Sequence, residues 1–324
     1  MTDLRKLLLC LSLLLCYHRS YCWGFYAHKQ INYYAVFLLP PEMMVLYKPN
    51  INFIAEHAVD PDKRRYAAAA EGARHYIDID LYGKDAHTIL PEQWDSAIAK
   101  FSADTLSARG IVPWWIQIMM RRLTAAFKEK NQAKILKLSA ELGHYIADAH
   151  VPLHACSNHN GQFTNQLGIH AFWESRLPEL LAEKEWDFFI GKAVYLQHPA
   201  SFIWKRVFES AAAADTVLRF EKKLSEQYGS DQRFAFEDRN GVLVRQYAAS
   251  YTRAYNAVLR GMVERRMRQS IYAVASFWYT AWVNAGQPDL KNLSGKTFTE
   301  EDTREFENLD LQWKKVADKD KICE

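Results

Sequence analysis

Apolar positions along most of the chain repeat at helical rather than strand spacing. Residues 28–39 carry one apolar face through Ile31, Tyr34, Ala35 and Leu38 before Pro40-Pro41 interrupts it. The same spacing predicts helices over 115–129 and 132–150. The second buries Ile135, Leu138, Leu142 and Ile146, and Pro152 follows its end. Further helices are expected near 168–184 and 207–227, and a long one near 243–284. No sustained apolar–polar alternation marks a strand; Tyr76-Ile77-Asp78-Ile79-Asp80 comes nearest and is short. Residues 286–324 turn polar and charged behind Gly286 and Pro288, as a tail or a short capping segment would. The expectation is one all-α, multi-helix domain over residues 23–285.

The first 22 residues follow a different pattern. Arg5 and Lys6 precede an apolar run of ten residues, Leu7 to Cys16, too short to span a bilayer. Ser20 and Cys22 then place small side chains three and one residues before Trp23. This is the layout of a secretory signal cleaved before Trp23, which implies a secreted or periplasmic protein. A short buried helix, a retained anchor or lipidation at Cys22 are the competing readings; Arg19-Ser20-Tyr21 suits lipidation poorly.

Composition changes the picture in two places. The formal charge of +3 comes from 41 basic and 38 acidic residues, and removing residues 1–22 leaves 38 against 37. That balance lacks the strong basic excess of a protein that grips nucleic acid through bulk charge. Of five cysteines, Cys10, Cys16 and Cys22 fall in the signal, leaving Cys156 and Cys323, too few for a disulfide framework.

The chemistry concentrates in histidine–carboxylate pairs. His144 and Asp148 are four residues apart and share a helix face, as do His170 and Glu174. His154 lies between the pairs, just past Pro152. Five zinc-type ligands therefore fall within about 30 residues, the way helical bundles build metal sites. Any one such pair is more often a surface arrangement than a ligand set. Upstream, Asp60 and His75 are 15 residues apart, and His28 follows Trp23 by five. A chain beginning at Trp23 would offer its free amine and its carbonyl oxygen as a chelating pair.

This order of residues resembles the superfamily of secreted bacterial zinc-dependent phospholipases C and single-strand-specific zinc nucleases. The positions that carry the resemblance are Trp23, His28, Asp60, His75, His144, Asp148, His154, His170 and Glu174. It runs from Trp23 to about residue 180 and more loosely beyond. The resemblance implies an all-helical fold and three zinc ions. Asp60, His75 and His144 would hold one, and His154, His170 and Glu174 a second. The Trp23 amine and carbonyl with His28 would hold a third, and Asp148 would bridge the first and third. The implied reaction is hydrolysis of a phosphodiester by a metal-activated water, with Asp60 also orienting or deprotonating that water. The implied partners are a phospholipid or a single-stranded nucleic acid, with no obligate protein partner and a monomeric state.

Glu174 at the last ligand position and the compact gap from His154 to His170 lean towards the phospholipase C branch. Tyr26, Pro61 and Gly72 stand where a choline-lipid enzyme would place acidic or aromatic residues, so no cage for a quaternary ammonium is evident. A single-strand-specific nuclease and a non-catalytic zinc-binding module are the alternatives. Lys63 reads first as a solvated charge, and Trp114, Trp115, Phe172 and Trp173 read first as core. His18, His57, His87, His150, His159 and His198 match no ligand position.

Overall fold

The computed structural model describes residues 24–311 except 66, 67, 240, 294–297, 302, 305 and 309. The signal-like segment, Trp23 and Cys323 therefore lie outside the described residues. The chain is mostly helical, as expected of an all-α protein.

Helix α1 spans Phe25–Val36, three residues ahead of its predicted position; Pro40-Pro41 does not stop it but opens the next short helix, Pro41–Tyr47. Proline is well placed there, because the first helical turn leaves its N–H groups unpaired anyway. Helices α2 (Val112–Glu129) and α3 (Gln132–Asp148) form a hairpin. Lys130 turns the corner at φ 53°, and the Asn131 side chain caps α3 by accepting the Lys134 N–H at 3.0 Å. Helix α4 (Leu177–Glu185) follows a π-helical segment at Phe172–Arg176. Helix α5 runs over Pro199–Ser225 and packs on α2 and on the 3-10 turn Pro152–Ala155.

The helix expected over 243–284 is three elements. Strand β1 (Phe234–Arg239) pairs antiparallel with β2 (Val242–Tyr247), and α6 (Ala249–Val258) and α7 (Met262–Asn284) follow. The break between α6 and α7 falls at Arg260 and Gly261, with φ of 52° and 70°. Left-handed backbone cannot continue a right-handed helix. The hairpin has its own sequence cause, an Asn240-Gly241 pair between apolar runs.

Helix α7 is the central post of the core. Its Phe277, Trp278 and Ala281 are fully buried, and it packs against α1, α2 and α3. The Trp278 indole donates to the Ser139 carbonyl at 2.9 Å, so this large apolar side chain is buried with its one polar atom paired. Trp114, Trp115, Phe172 and Trp173 are all buried, in line with their reading as core. The segment after residue 286 is in part a cap. Leu290 and Leu293 are buried, the Trp282 indole donates to the Pro288 carbonyl at 3.0 Å, and Phe298 stacks on Phe53.

Candidate metal centre

Four pieces of chain converge on one buried spot. Helix α1 supplies His28, the short helix Asp60–Arg64 supplies Asp62, and residue 75 supplies a histidine just past the 3-10 turn Gly72–Arg74. Helix α3 supplies His144 and Asp148, and the turn after it supplies His154. The helix entered at Ile169 supplies His170 and Glu174. All these side chains are buried.

Close approach of α1 and α3 depends on one glycine. At Gly143 a Cβ would stand 2.0 Å from Asn32 Oδ1, so no side chain fits there. Asn32 ties the helices together by donating to the Ala140 carbonyl at 3.0 Å and the Ile54 carbonyl at 3.2 Å. With the backbones this close, the His28 and His144 rings stack at 3.9 Å.

Asp148 is the hub. Its Oδ1 lies 3.4 Å from His28 Nε2, and its Oδ2 lies 3.0 Å from His75 Nδ1 and 3.3 Å from His144 Nε2. The carboxylate therefore faces two groups at once, the position a bridging ligand needs. On the other side, Glu174 Oε2 lies 3.0 Å from His170 Nε2 and 3.4 Å from His154 Nε2. Asp148 and His154 are 3.9 Å apart, which links the two halves.

The aspartate of the first group is Asp62, not Asp60. Asp62 Oδ1 is 3.7 Å from both His75 Nδ1 and His144 Nε2. Asp60 instead accepts from Lys63 at 3.2 Å and pairs with His57 Nδ1 at 2.6 Å. The reason is helical phase. Both aspartates sit on the Asp60–Arg64 helix, and residues two apart point about 200° apart around a helix axis, so only one can face the histidines. Asp60 is occupied by His57 and Lys63 on the other side, and burial, which opposes its charge, is outweighed by these two partners, so its pKa is lowered. Lys63, read as solvated, is held between Asp60 and Asp310.

The remaining described histidines stay out of the cluster, as the sequence suggested, and His57 is paired with Asp60. His87 and His198 are exposed. His150 is buried with its Nδ1 on the Ile146 carbonyl at 2.7 Å, away from the cluster. His159 contributes its backbone carbonyl rather than its ring.

Three observations test whether these residues fit metal ions. The first is unmet polarity. Both oxygens of Asp62, Asp148 Oδ1, Glu174 Oε1 and His154 Nε2 are buried without a hydrogen-bond partner. Buried carboxylates left so exposed to each other are costly unless a cation lies among them. The second is ring orientation. Backbone carbonyls receive Nδ1 of His144 (Ala58, 2.8 Å), His154 (His75, 2.6 Å) and His170 (His159, 3.0 Å), which turns each Nε2 lone pair inward. The third is spacing. Zinc–ligand bonds near 2.05 Å at tetrahedral angles put ligand atoms about 3.3 Å apart, and the contacts above run from 3.0 to 3.9 Å. The residues fit. Within 4.8 Å of one another stand three candidate groups: His28, His144 and Asp148; Asp62, His75 and His144; and His154, His170 and Glu174.

Protonation follows the same logic. Burial drives the His28 and His170 pKa values down to about 4, so both are neutral at pH 7 and ready to donate a lone pair. Burial pulls His144 the same way, but Asp148 and Asp62 overrule it and lift it to about 9. Burial works against the Asp148 charge, yet His144 and His154 hold that carboxyl well below its usual range. Burial pushes Glu174 up to about 8, with Asp148 and Asp62 adding to the rise against the pull of His154. Without metal the anions thus keep protons among them; bound cations would displace those protons.

Behind His75 sits a carboxylate the sequence did not flag. Glu71 is fully buried, 3.6 Å from His75 Nε2, and takes hydrogen bonds from Arg74 at 2.6 Å and from the Tyr145 hydroxyl. Burial opposes its charge, but His75, Arg64 and Tyr145 hold its pKa down at about 2. Its charge lies on the Nε2 side of His75, while Nδ1 faces Asp148 and the cluster.

Trp23 falls outside the described residues, but its neighbour is placed. The Gly24 N–H donates to the Glu174 carbonyl at 3.3 Å, an acceptor that Pro178, lacking an N–H, cannot serve from the following helical turn. A Cβ at Gly24 would meet Ser175 Cβ at 2.7 Å, so glycine is needed for this docking.

Fold and site together define a mostly helical protein with buried His, Asp and Glu groups able to hold metal ions. No family model matches the chain, and no curated protein matches it. No helix among the described residues is long and apolar enough to cross a membrane.

Proposed function

We propose that the protein is an exported zinc-dependent hydrolase of phosphodiesters, phospholipase C-like, with the all-helical fold of the superfamily its motif resembles. The observation that carries this reading is the meeting of three His–carboxylate groups in one buried cluster, of which His154, His170 and Glu174 are short of four protein ligands. Sites of that kind leave positions for water and substrate. Asp62, His75 and His144 hold one zinc, and His154, His170 and Glu174 a second. His28 and the Trp23 amine and carbonyl hold a third, with Asp148 between the first and third. The docking of Gly24 on the Glu174 carbonyl supports this, because it brings a chain that starts at Trp23 to the cluster. Cleavage before Trp23 is therefore part of the proposal, as is secretion or a periplasmic location.

Zinc in these positions supplies a Lewis acid and lowers the pKa of water it holds. The chain's own residues do the positioning. The carbonyls of Ala58, His75 and His159 fix three imidazoles, the Glu71 charge lies behind a fourth, and Asp148 sets the spacing between groups. Three divalent ions against Asp62, Asp148 and Glu174 leave a positive site, which selects an anionic substrate. Arg65, whose charge opposes protonation of His170 and His159, adds to the positive potential around the second group. Exposed Phe163 and Leu167, on the loop between His154 and His170, favour a lipid over a nucleic acid.

The test is direct. Exported protein is analysed by mass spectrometry for its first residue and for zinc, then assayed on a generic aryl phosphodiester, phospholipid vesicles and single-stranded DNA. A chain beginning at Trp23 with close to three zinc ions and turnover on vesicles supports the reading. Turnover on DNA alone replaces the lipid assignment with a nuclease. A zinc-loaded chain that turns over none of the three is a binding module, and the catalytic reading fails.

A further inference from the structure

Outside the metal centre, the face of the α2–α3 hairpin carries a groove of about 530 Å³. That size is in the range of small-ligand sites. Its walls are cationic. Arg122 comes from α2, Lys134 and Lys137 from α3, and Arg64 and Arg74 from the segment before His75. The carboxylates are Glu129 and Glu141 in the lining and Glu71 behind Arg74. Of these, Arg64, Arg74, Arg122 and Lys134 against the three carboxylates leave a formal charge of +1 on a protein whose charges otherwise nearly cancel.

The pairing inside the groove is uneven. Arg64 meets Glu141 at 2.6 Å, Arg74 meets Glu71 at 2.6 Å, and Lys134 meets Glu129 at 3.0 Å. Arg122 meets no carboxylate at ion-pair distance among the described residues. Its guanidinium lies 5.0 Å from the Trp115 ring centroid, and that ring also carries Arg74 at 3.9 Å. Cation–π contact holds each group in place. Yet two guanidiniums on one ring repel each other, and a concave wall strengthens the field between them. Such a pair is relieved by an anion that both forks can reach, and phosphate suits that geometry.

We propose that this groove is an anion-binding site, separate from the metal centre, that takes a phosphate group through Arg122, Arg74 and Lys134. It contains none of the metal-ligating residues, and it does not rest on the catalytic reading. Because Arg74 and Arg64 also hold Glu71, which faces His75, the occupied groove is one carboxylate away from the first metal group.

Isothermal titration of zinc-loaded, full-length protein tests this, with inorganic phosphate in one arm and glycerol phosphate in the other. A response to both marks a site for phosphate as such, and a response to the ester alone marks one for an esterified phosphate. In either arm, Arg122→Gln with Lys134→Gln should weaken one class of sites about tenfold or more, the loss of charge-assisted bonds. The same loss of charge at Lys205 and Lys222, exposed on α5, should leave that class intact. Zinc content reports whether the groove variant is folded; if it falls, Arg122→Gln alone is read with the same outcomes. The proposal is overturned if the groove variant binds as the parent does, or if the α5 variant weakens binding equally. It is also overturned if the only binding seen disappears in His154→Ala.

Discussion

Gly143→Ala should be strongly destabilising. The added Cβ would stand 2.0 Å from Asn32 Oδ1 and 2.8 Å from Asn32 Cγ. Asn32 cannot swing aside cheaply, because it is fully buried and its amide serves two carbonyls. Either α1 moves off α3 or both hydrogen bonds break. Each buried bond lost costs about 1–3 kcal/mol, overpacking adds about 1–3 kcal/mol, and alanine returns about 1 kcal/mol of helix propensity. The balance is about 2–8 kcal/mol, a large share of a typical domain's stability. The same shift separates His28 from His144, so zinc content should fall with stability. Guanidinium unfolding with zinc analysis on the same samples measures both. In an Asn32→Ala background the obstruction is gone, and Gly143→Ala should then cost less than half as much. A Gly143→Ala protein as stable as the parent, or equal costs in the two backgrounds, would refute the argument.

Other outcomes follow from the site. Asp62→Asn should remove zinc from the first group, whereas Asp60→Asn should leave the zinc count unchanged; metal analysis of the two variants decides between the two aspartates. Glu71→Gln should weaken zinc binding about 10–100-fold, the usual effect of removing a carboxylate behind a ligating histidine, and a competition titration against a chelator reads it. Chelation should lower the thermal midpoint at neutral pH, since Asp62, Asp148 and Glu174 then share a buried site without their counter-charge. Asp78 is raised by burial and by Asp80 from 3.8 to about 6. The folded state binds its proton more tightly than the unfolded one, so this contribution is full below about 3.8 and is lost as pH rises through 6. Asp78→Asn should therefore raise the thermal midpoint at pH 8 and leave it unchanged near pH 3.

Much of the fold could be read from the chain because helix period is a local property. α2 and α3 fall within three residues of their predicted bounds, since a single apolar stripe and the Asn131 cap define them. The break at Gly261 was hidden because Met262–Asn284 continues the apolar spacing of the helix before it. The hairpin was hidden because its outer positions are apolar too, Phe236 and Leu243 each 67% exposed, which blurs the alternation. The site divides along the same line. Pairs at four-residue spacing, His144 with Asp148 and His170 with Glu174, declare themselves. Asp60 against Asp62 does not, because both fit the spacing to His75 and only the phase of a five-residue helix separates them. The Asn32 bond to Ala140 beside Gly143 and the Ala58 and His75 carbonyls act across 79 to 108 residues of sequence, where no local pattern marks them, whereas Glu71 stands four residues before His75, the same spacing as the other pairs.

The bond from Gly24 to Glu174 also bears on the order of folding. It closes a span of 150 residues, and all the ligands of the three candidate groups lie between its ends. Loop closure over such a distance is paid before its contacts give anything back, so long-range contacts form slowly. The pairs His144–Asp148 and His170–Glu174 are local and can take metal early; His28 cannot join until α1 is laid against α3. Assembly of the centre is therefore staged. The last ligands to arrive are those the ribosome made first, and refolding in the presence of zinc should show a fast uptake by the segment from His144 to Glu174 and a slow one that tracks burial of α1.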